Sequence, residues 1–285
     1  MDNVVYGNEL AVKLKQDLKM KIENSIAQGY RLPQLAVVLV GDDPASLSYV
    51  KGKEKACAQV GVNTITYTLS DTASFDEIKT LIETLNQDSN VDGILLQLPL
   101  PNGLDSSELV NLIAPDKDVD GLTPLNMGYF FNNCKGFVPC TPLGVMALLK
   151  EGNVTLEGKH AVVIGRSQLV GKPLAQLLLN SNCTVTMCHS KTSQLKEITQ
   201  LADILIVAVG KAKFITADYV KKGAVVIDVG VNRVDGKLVG DVDFASVQPK
   251  ASLITPVPKG VGPMTITMLL DNTYQAYCQH IGKDK

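Results

Sequence analysis

A seven-residue turn, Gly165-Arg-Ser-Gln-Leu-Val-Gly171, separates the apolar run at 161–164 from a segment in which Val170, Leu174, Leu177 and Leu178 recur at helical spacing. Where a strand runs through a small-residue turn into a helix, unpaired amides and the positive end of the helix dipole converge and favour an anion such as phosphate. Spacing separates the chemistries that use such a turn. A P-loop keeps four residues between its glycines and follows them with Lys-Ser/Thr. Here five intervene and Lys172 is followed by Pro173, so no hydroxyl is placed for magnesium. A nucleophile elbow needs Gly-x-Ser-x-Gly. Ser167 has Gly165 before it, but Leu169 stands where the second glycine belongs. The dinucleotide turn Gly-x-Gly-x-x-Gly fits with two departures: Ser167 holds the middle place and the last glycine, Gly171, arrives one residue late. Serine is small enough to admit a pyrophosphate and can donate to it. The turn therefore reads as dinucleotide-binding, with a bare structural turn as the alternative.

Three other groups carry side chains with chemistry. Tyr49 and Lys53 lie four apart on a segment opened by Pro44, hence on one helix face. Such a pair is either a solvated face or an acid–base site. It also resembles the pair of short-chain dehydrogenases, but there the pair follows the nucleotide turn and here it lies far upstream. Asp116, Asp118 and Asp120 alternate in Pro115-Asp-Lys-Asp-Val-Asp-Gly121. They are capping carboxylates, ligand acceptors or a calcium loop, and the calcium reading lacks the later glutamate of an EF-hand. His189 sits at a strand end beside Ser190, which cannot complete a triad by adjacency.

The elements that must position these groups alternate strand and helix. Residues 10–29 form an amphipathic helix stopped by Gly29, and 35–40 a buried strand. A helix opened by Pro44 follows, then a strand at 62–69, a helix at 75–85 and a strand at 91–98 that ends in Gln97-Leu-Pro-Leu-Pro. Residues 105–113 read as a further helix. Pro139-Cys-Thr-Pro142 marks a domain boundary with a linking helix through Lys150. Beyond it, 161–164 is a central parallel strand, with further strands at 184–188, 204–209, 225–229 and near Leu253, so five or six strands make a second parallel sheet. The cluster 255–263, rich in proline and glycine, ends that domain, and a last helix at 264–277 crosses back to the first. The fold class expected is α/β, with two α/β domains: 1–140 joined by 264–285, and a Rossmann-like dinucleotide-binding domain at 141–263.

Composition excludes several classes. With 285 residues, 45% hydrophobic and 20% charged, the chain has the make-up of a globular protein of about two domains. A net charge of −2 offers no basic surface for nucleic acid. No apolar run is long enough to span a bilayer and the N-terminus lacks a signal pattern, so a cytoplasmic protein without a membrane partner is expected. The six cysteines include no Cys-x-x-Cys, and Cys183 and Cys188 fall on opposite faces of one strand. Neither a zinc site, nor any other metal, nor a disulfide framework is expected.

Taken in order, Tyr49-x-x-x-Lys53, Gln97-Leu-Pro-Leu-Pro, Asp118-Val-Asp-Gly121, Cys140-Thr-Pro, Gly165-Arg-Ser-x-x-Val-Gly-x-Pro, His189-Ser and Pro256-Val-Pro-x-Gly-Val-Gly-Pro-Met-Thr265 resemble the bifunctional methylenetetrahydrofolate dehydrogenase/cyclohydrolase family over nearly the whole chain. The resemblance implies two α/β domains with the active-site cleft between them and a homodimer. It implies oxidation of 5,10-methylenetetrahydrofolate with NADP, then hydrolysis of the methenyl product to 10-formyltetrahydrofolate. Lys53 would be the catalytic amine, Gln97 would hold it by a hydrogen bond, and Tyr49 would stack on the folate's aminobenzoate ring. Asp120 would accept from the pterin's amino-pyrimidine edge, with Gly262 and Pro263 also on the substrate. Gly165, Arg166, Ser167, Ser190 and Val231 would bind the cofactor. NADP is favoured over NAD because the second strand ends in Cys188-His-Ser-Lys191, with no carboxylate for the ribose hydroxyls, while Arg166 and Ser190 suit the extra phosphate. Lys259 departs from the family, which commonly has glycine there; its charge would meet the folate's glutamate tail. Two readings from other classes stand beside this one: a serine hydrolase using Ser167 with His280, and a non-catalytic NADP-binding sensor.

Overall fold

The computed structural model describes residues 3–101 and 103–283, so positions 1, 2, 102, 284 and 285 of the expected domains lie outside the described residues. The chain divides into two compact units, Lys13–Cys140 with Ile266–Lys285, and Met1–Val12 with Thr141–Thr265.

In the first unit, α1 (Gly7–Ala27, which begins in the other unit) precedes β1 (Gln34–Val40), α2 (Pro44–Val60), β2 (Asn63–Leu69), α3 (Phe75–Gln87) and β3 (Gly93–Leu96). The three strands are parallel in the order β2-β1-β3, with Leu35 opposite both Thr64 and Gly93. Six of the seven residues of β1 are buried because helices cover both of its faces. Leu35, Val37 and Leu39 pack with Leu18 and Ile22 of α1 and Val50, Cys57 and Val60 of α2. Ala36, Val38 and Val40, pointing the other way, pack with Ile78, Ile82 and Leu85 of α3. The successors of β1 lie on opposite sides of it, so the carboxyl ends of β1 and β3 flank a topological switch point, where open α/β sheets place ligands.

Two short helices follow, α4 (Ser106–Asn111) and α5 (Pro124–Phe131). The expected helix at 105–113 is shorter because Asp105 is its cap, accepting from the amide of Ser107 at 2.8 Å. The strand expected at 91–98 contracts to four residues for a similar reason: Asp92 turns its carboxylate back onto the amide of Gln34. Helix α5 was not expected, although Thr123 caps it and Pro124 occupies its first turn.

In the second unit, α6 (Cys140–Glu151, whose first residue belongs to the other unit) leads into β4 (His160–Ile164), α7 (Gly171–Asn180), β5 (Thr184–Cys188), α8 (Leu195–Thr199), β6 (Ile204–Val207) and β7 (Val225–Asp228). The hairpin β8 (Asn232–Val234) and β9 (Lys237–Val239), α9 (Phe244–Val247), β10 (Leu253–Ile254) and α10 (Val261–His280) complete the chain, the last running on into the first unit. Five strands form a parallel sheet in the order β10-β7-β6-β4-β5. The described N-terminal residues, from Asn3 to Val12, join this unit and not the first, because backbone bonds from Val5 to Ile254 (3.0 Å) and from Ile254 to Asn3 (2.9 Å) set Val4 in a bridge beside β10. The hairpin β8-β9 was also not expected, yet its turn is Asp235-Gly236 with both φ angles positive, a strong local hairpin signal.

Buried carboxylates fix the loops of both units. Asp241 accepts from the amides of Val209 (2.6 Å), Gly210 (2.9 Å) and Lys211 (2.8 Å) and from the Asn232 side chain (2.9 Å), tying the loop after β6 to the hairpin. Asp228 accepts from Gly230, Asp241 and Val242 amides, and burial pushes it up to about 7 in spite of them. In the first unit, the fully buried Asp92 takes both arms of Arg31 at 2.7 Å, and the Nδ1 edge of His280 lies 3.0 Å away. Burial acts to raise Asp92, but the hydrogen bonds from Arg31, His280 and the Gln34 amide outweigh it and hold the carboxyl below its usual range.

A carboxyl depressed in the folded state stabilises the fold above its ordinary value and loses that contribution as pH falls through the depressed one. Asp92→Asn should therefore cost roughly 3 kcal/mol or less at neutral pH, since Arg31 remains about a third exposed to water. It should also flatten the acid limb of stability against pH below about 4, which thermal melts across pH 2–7 would read.

Candidate active site

Lys53 is placed by α2. Asp43 caps the helix through the amide of Ser46 (2.8 Å), and Pro44 starts its first turn, which sets the rotation of everything after it. Tyr49 and Lys53 come out one turn apart, but Tyr49 is 56% exposed whereas Lys53 is half-buried. The Lys53 amine donates to Oε1 of Gln97 at 2.9 Å. Gln97 immediately follows β3, continues its ladder through an amide bond to Val38 (2.9 Å), and sends its own Nε2 to the carbonyl of Leu98. With the amide nitrogen turned to Leu98, the oxygen faces the lysine.

The three alternating aspartates go to three different partners. Asp116 meets Nε2 of His280 at 3.3 Å. Asp118, buried, accepts from the amides of Leu122 (3.1 Å) and Thr123 (2.8 Å) and from Asn126 (2.9 Å), so it builds the loop that holds its neighbours. Asp120 remains for Lys53, with the thiol of Cys140 beside it. A calcium loop would turn all three inward on one point, and these diverge. Gly121, at φ 68°, lets the loop turn against the next segment, where a Cβ would stand 2.6 Å from the Val138 carbonyl carbon.

The electrostatics of the pair follow from burial. Removal from water lowers the Lys53 amine below the ordinary lysine value, and the Asp120 charge only partly restores it. The same removal raises Asp120, with Lys53 pulling the other way. Both groups are shifted toward their neutral forms, the amine downward and the carboxyl upward. Burial likewise pushes the Cys140 thiol well up, so it is a donor and not a thiolate nucleophile. In the sequence Cys140 figures only as part of a motif; nothing short of the fold brings it to Asp120.

In the other unit, β4 has β5 on one side and β6 on the other, so the turn after Ile164 lies at that sheet's switch point. Gly165 donates to the carbonyl of Cys188 at 2.9 Å. A Cβ on Gly171 would stand 2.2 Å from the carbonyl oxygen of Gly165, so only glycine lets the helix start so close to the strand. Ser167 accepts from the amides of Val170 (3.2 Å) and Gly171 (3.3 Å), which leaves its hydroxyl hydrogen to donate outward. Arg166 and Ser190 are exposed, each two residues beyond the paired residues Ile164 and Cys188. That register gives a phosphate two donors and no carboxylate, which fits the expected cofactor. Val231 is 49% exposed, between Gly230 and the Asn232 that bonds Asp241.

Gly262 and Pro263 fall inside the first turn of α10 and not in a loop before it, since proline has no amide hydrogen to lose there. Lys259, two residues before that helix, is exposed and holds φ 81°, in the left-handed region that favours glycine. Its carbonyl accepts from the amide of Asn8 at 3.1 Å.

Among the described residues no triad forms around Ser167. Both ring nitrogens of His280 are taken up by Asp92 and Asp116, and the serine oxygen is engaged by two backbone amides. All six cysteines are free thiols.

A parallel sheet with a dinucleotide turn at its switch point, and a second α/β unit holding a desolvated lysine beside an amide and a carboxylate, define the class of two-unit NAD(P)-dependent enzymes. The tetrahydrofolate dehydrogenase/cyclohydrolase family models match the chain twice, the catalytic domain over residues 5–120 and the NAD(P)-binding domain over 139–281. The chain belongs to that family. Bifunctional protein FolD of Bacillus cereus is 55% identical over 274 residues, 96% of each chain. The crystal structure of the FolD dehydrogenase/cyclohydrolase of Campylobacter jejuni is 48% identical with a TM-score of 0.95, covering 97% of this chain and 98% of that one. The Trypanosoma brucei enzyme, solved with NADP cofactor and an inhibitor, is 34% identical with a TM-score of 0.93 over 98% of each chain. The family read from the motifs is thus the family of the chain, and the serine hydrolase and sensor readings find no support.

Proposed function

We propose that this chain oxidises 5,10-methylenetetrahydrofolate with NADP and hydrolyses the methenyl product to 10-formyltetrahydrofolate, with the Lys53 amine handling the protons of the second step. The observation that carries this is the Lys53–Gln97 bond at 2.9 Å beside Asp120, in a setting that lowers the amine.

NADP, when bound, supplies the hydride acceptor. Gly165, Arg166, Ser167, Ser190 and Val231 hold it, with Arg166 and Ser190 on the extra phosphate. Tyr49 stacks on the aminobenzoate ring, Asp120 accepts from the pterin edge, and Gly262 and Pro263 line the substrate. During oxidation the one-carbon bridge loses a hydride and positive charge spreads over its two nitrogens, so the protein's part is alignment. In hydrolysis, water adds to the methenyl carbon while neutral Lys53 takes its proton. One carbon–nitrogen bond then breaks: the departing ring nitrogen accepts that proton from the lysine, while the new hydroxyl on the carbon gives up its own proton, through Lys53 to solvent, as it becomes the formyl carbonyl. Gln97 keeps the amine aimed throughout. The enzyme works as a cytoplasmic homodimer in this reading. Among the described residues no helix is long and apolar enough to cross a membrane.

Lys53→Met keeps the length of the side chain and removes the amine. Cyclohydrolase activity should fall by at least the ~10² expected of a general acid–base group, and dehydrogenase activity by a smaller factor. Methenyltetrahydrofolate should then accumulate, visible by its absorbance. A variant that melts normally and hydrolyses at the wild-type rate would remove Lys53 from the mechanism.

Arg166→Ala should raise KM for NADP by roughly 10-fold or more, the loss of a charge-assisted contact of about 1.5–3 kcal/mol, and leave KM for NAD nearly unchanged. Equal effects on both cofactors would count against a phosphate contact.

A further inference from the structure

Asn272 is 2% exposed on α10, a helix whose neighbouring residues Leu269, Leu270 and Ala276 sit in the core of the first unit. Asparagine is a poor helix former, and its amide is costly to bury without partners. Here both amide hydrogens are used on backbone far away in sequence. Nδ2 donates to the carbonyl of Val119 at 2.8 Å and to that of Val138 at 3.1 Å, with Cys140 Sγ also 3.7 Å away. Val119 immediately precedes Asp120, and its carbonyl accepts a second bond, from Cys140 Sγ at 3.4 Å.

We propose that Asn272 is a positioning residue for Asp120, a clamp on α10 that fixes where the folate-facing carboxylate stands. The two carbonyls it joins belong to the loop carrying Asp120 and to the segment carrying Cys140, the other group beside that carboxylate. Asp118 fastens the far side of the same loop through Leu122, Thr123 and Asn126. Asp120 lies between these two attachments, so its position depends on both. The clamp acts through the loop and touches neither folate nor cofactor. It deepens the reading of Asp120 as a pterin contact and rests on that reading.

Asn272→Leu keeps the branching and heavy-atom count of the side chain and removes both donors. Thr273→Val is its control: Thr273 is fully buried on the same helix and its hydroxyl bonds within it, to the carbonyl of Leu269 at 2.8 Å. Steady-state kinetics on both, with melting temperatures, separate positioning from support. The clamp predicts that Asn272→Leu raises KM for methylenetetrahydrofolate roughly 10- to 100-fold, the order a carboxylate misplaced by about 1 Å would cost, with KM for NADP unchanged. Thr273→Val should change neither. A wild-type folate KM in Asn272→Leu, or a rise shared equally by the cofactor KM, would overturn the clamp. Asp120→Asn measured alongside tells which idea has failed. If Asp120→Asn raises the folate KM and Asn272→Leu does not, the clamp falls alone; if neither does, the reading of Asp120 falls and the clamp with it.

Discussion

The proposed chemistry of the first unit depends on holding one amine, that of Lys53, partly out of water. A solvated lysine is almost wholly protonated at neutral pH and cannot take a proton from water. Burial lowers Lys53, while the nearby Asp120 limits how far it falls. Neither influence alone would suffice. Burial without a carboxylate leaves an amine that holds a proton too weakly to carry one to the leaving nitrogen, and a fully ionised pair in water leaves a spent base. The opposed shifts of the two groups narrow the gap between amine and carboxyl, so a proton moves between them at smaller cost than in water.

Most of the surrounding structure can be understood as what keeps that pair in place. Gln97 is aimed because Leu98 occupies its nitrogen, and it stands at a strand end because β3 is pinned beside β1. The loop with Asp120 is held from inside by Asp118. Asp92 anchors Arg31 and His280, and His280 in turn meets Asp116 at the start of that loop. The other unit uses the same device. Asp241 and Asp228 gather seven donors between them and shape the loops after β6 and β7, at the end of the sheet where the dinucleotide turn lies. In both sheets, buried carboxylates bonded to backbone amides do locally what secondary structure cannot do in a loop.

Much of this was legible in the sequence where the information is local. The buried run at 35–40, the strand–turn–helix at 161–178 and the helix opened by Pro44 depend on hydrophobic period and on glycine and proline, and they appear within a residue or two of their expected places. The bond between Lys53 and Gln97 is also present as read. Two local signals were overlooked, the Asp235-Gly236 hairpin and the Thr123-Pro124 helix start, both flanked by elements of eight residues or fewer. Other features were not legible at all. Nothing near Cys140 in sequence indicates that its thiol meets Asp120, and nothing near Asn272 indicates that it reaches Val119, 153 residues away. The described N-terminal residues join the second unit through a bridge to Ile254, a pairing with no local pattern to announce it. Contacts of this kind are set by which elements the topology makes neighbours.

That Lys53 is a lowered amine is tested most directly by its titration. With lysine labelled at the side-chain carbon next to the amine, NMR spectra of the intact enzyme across pH isolate the Lys53 signal as the one missing from a Lys53→Met sample. The expected result is a midpoint clearly below the usual lysine value of about 10.4. A midpoint at or above that value would mean an ordinary charged lysine, and the proton-transfer role built on it would be contradicted.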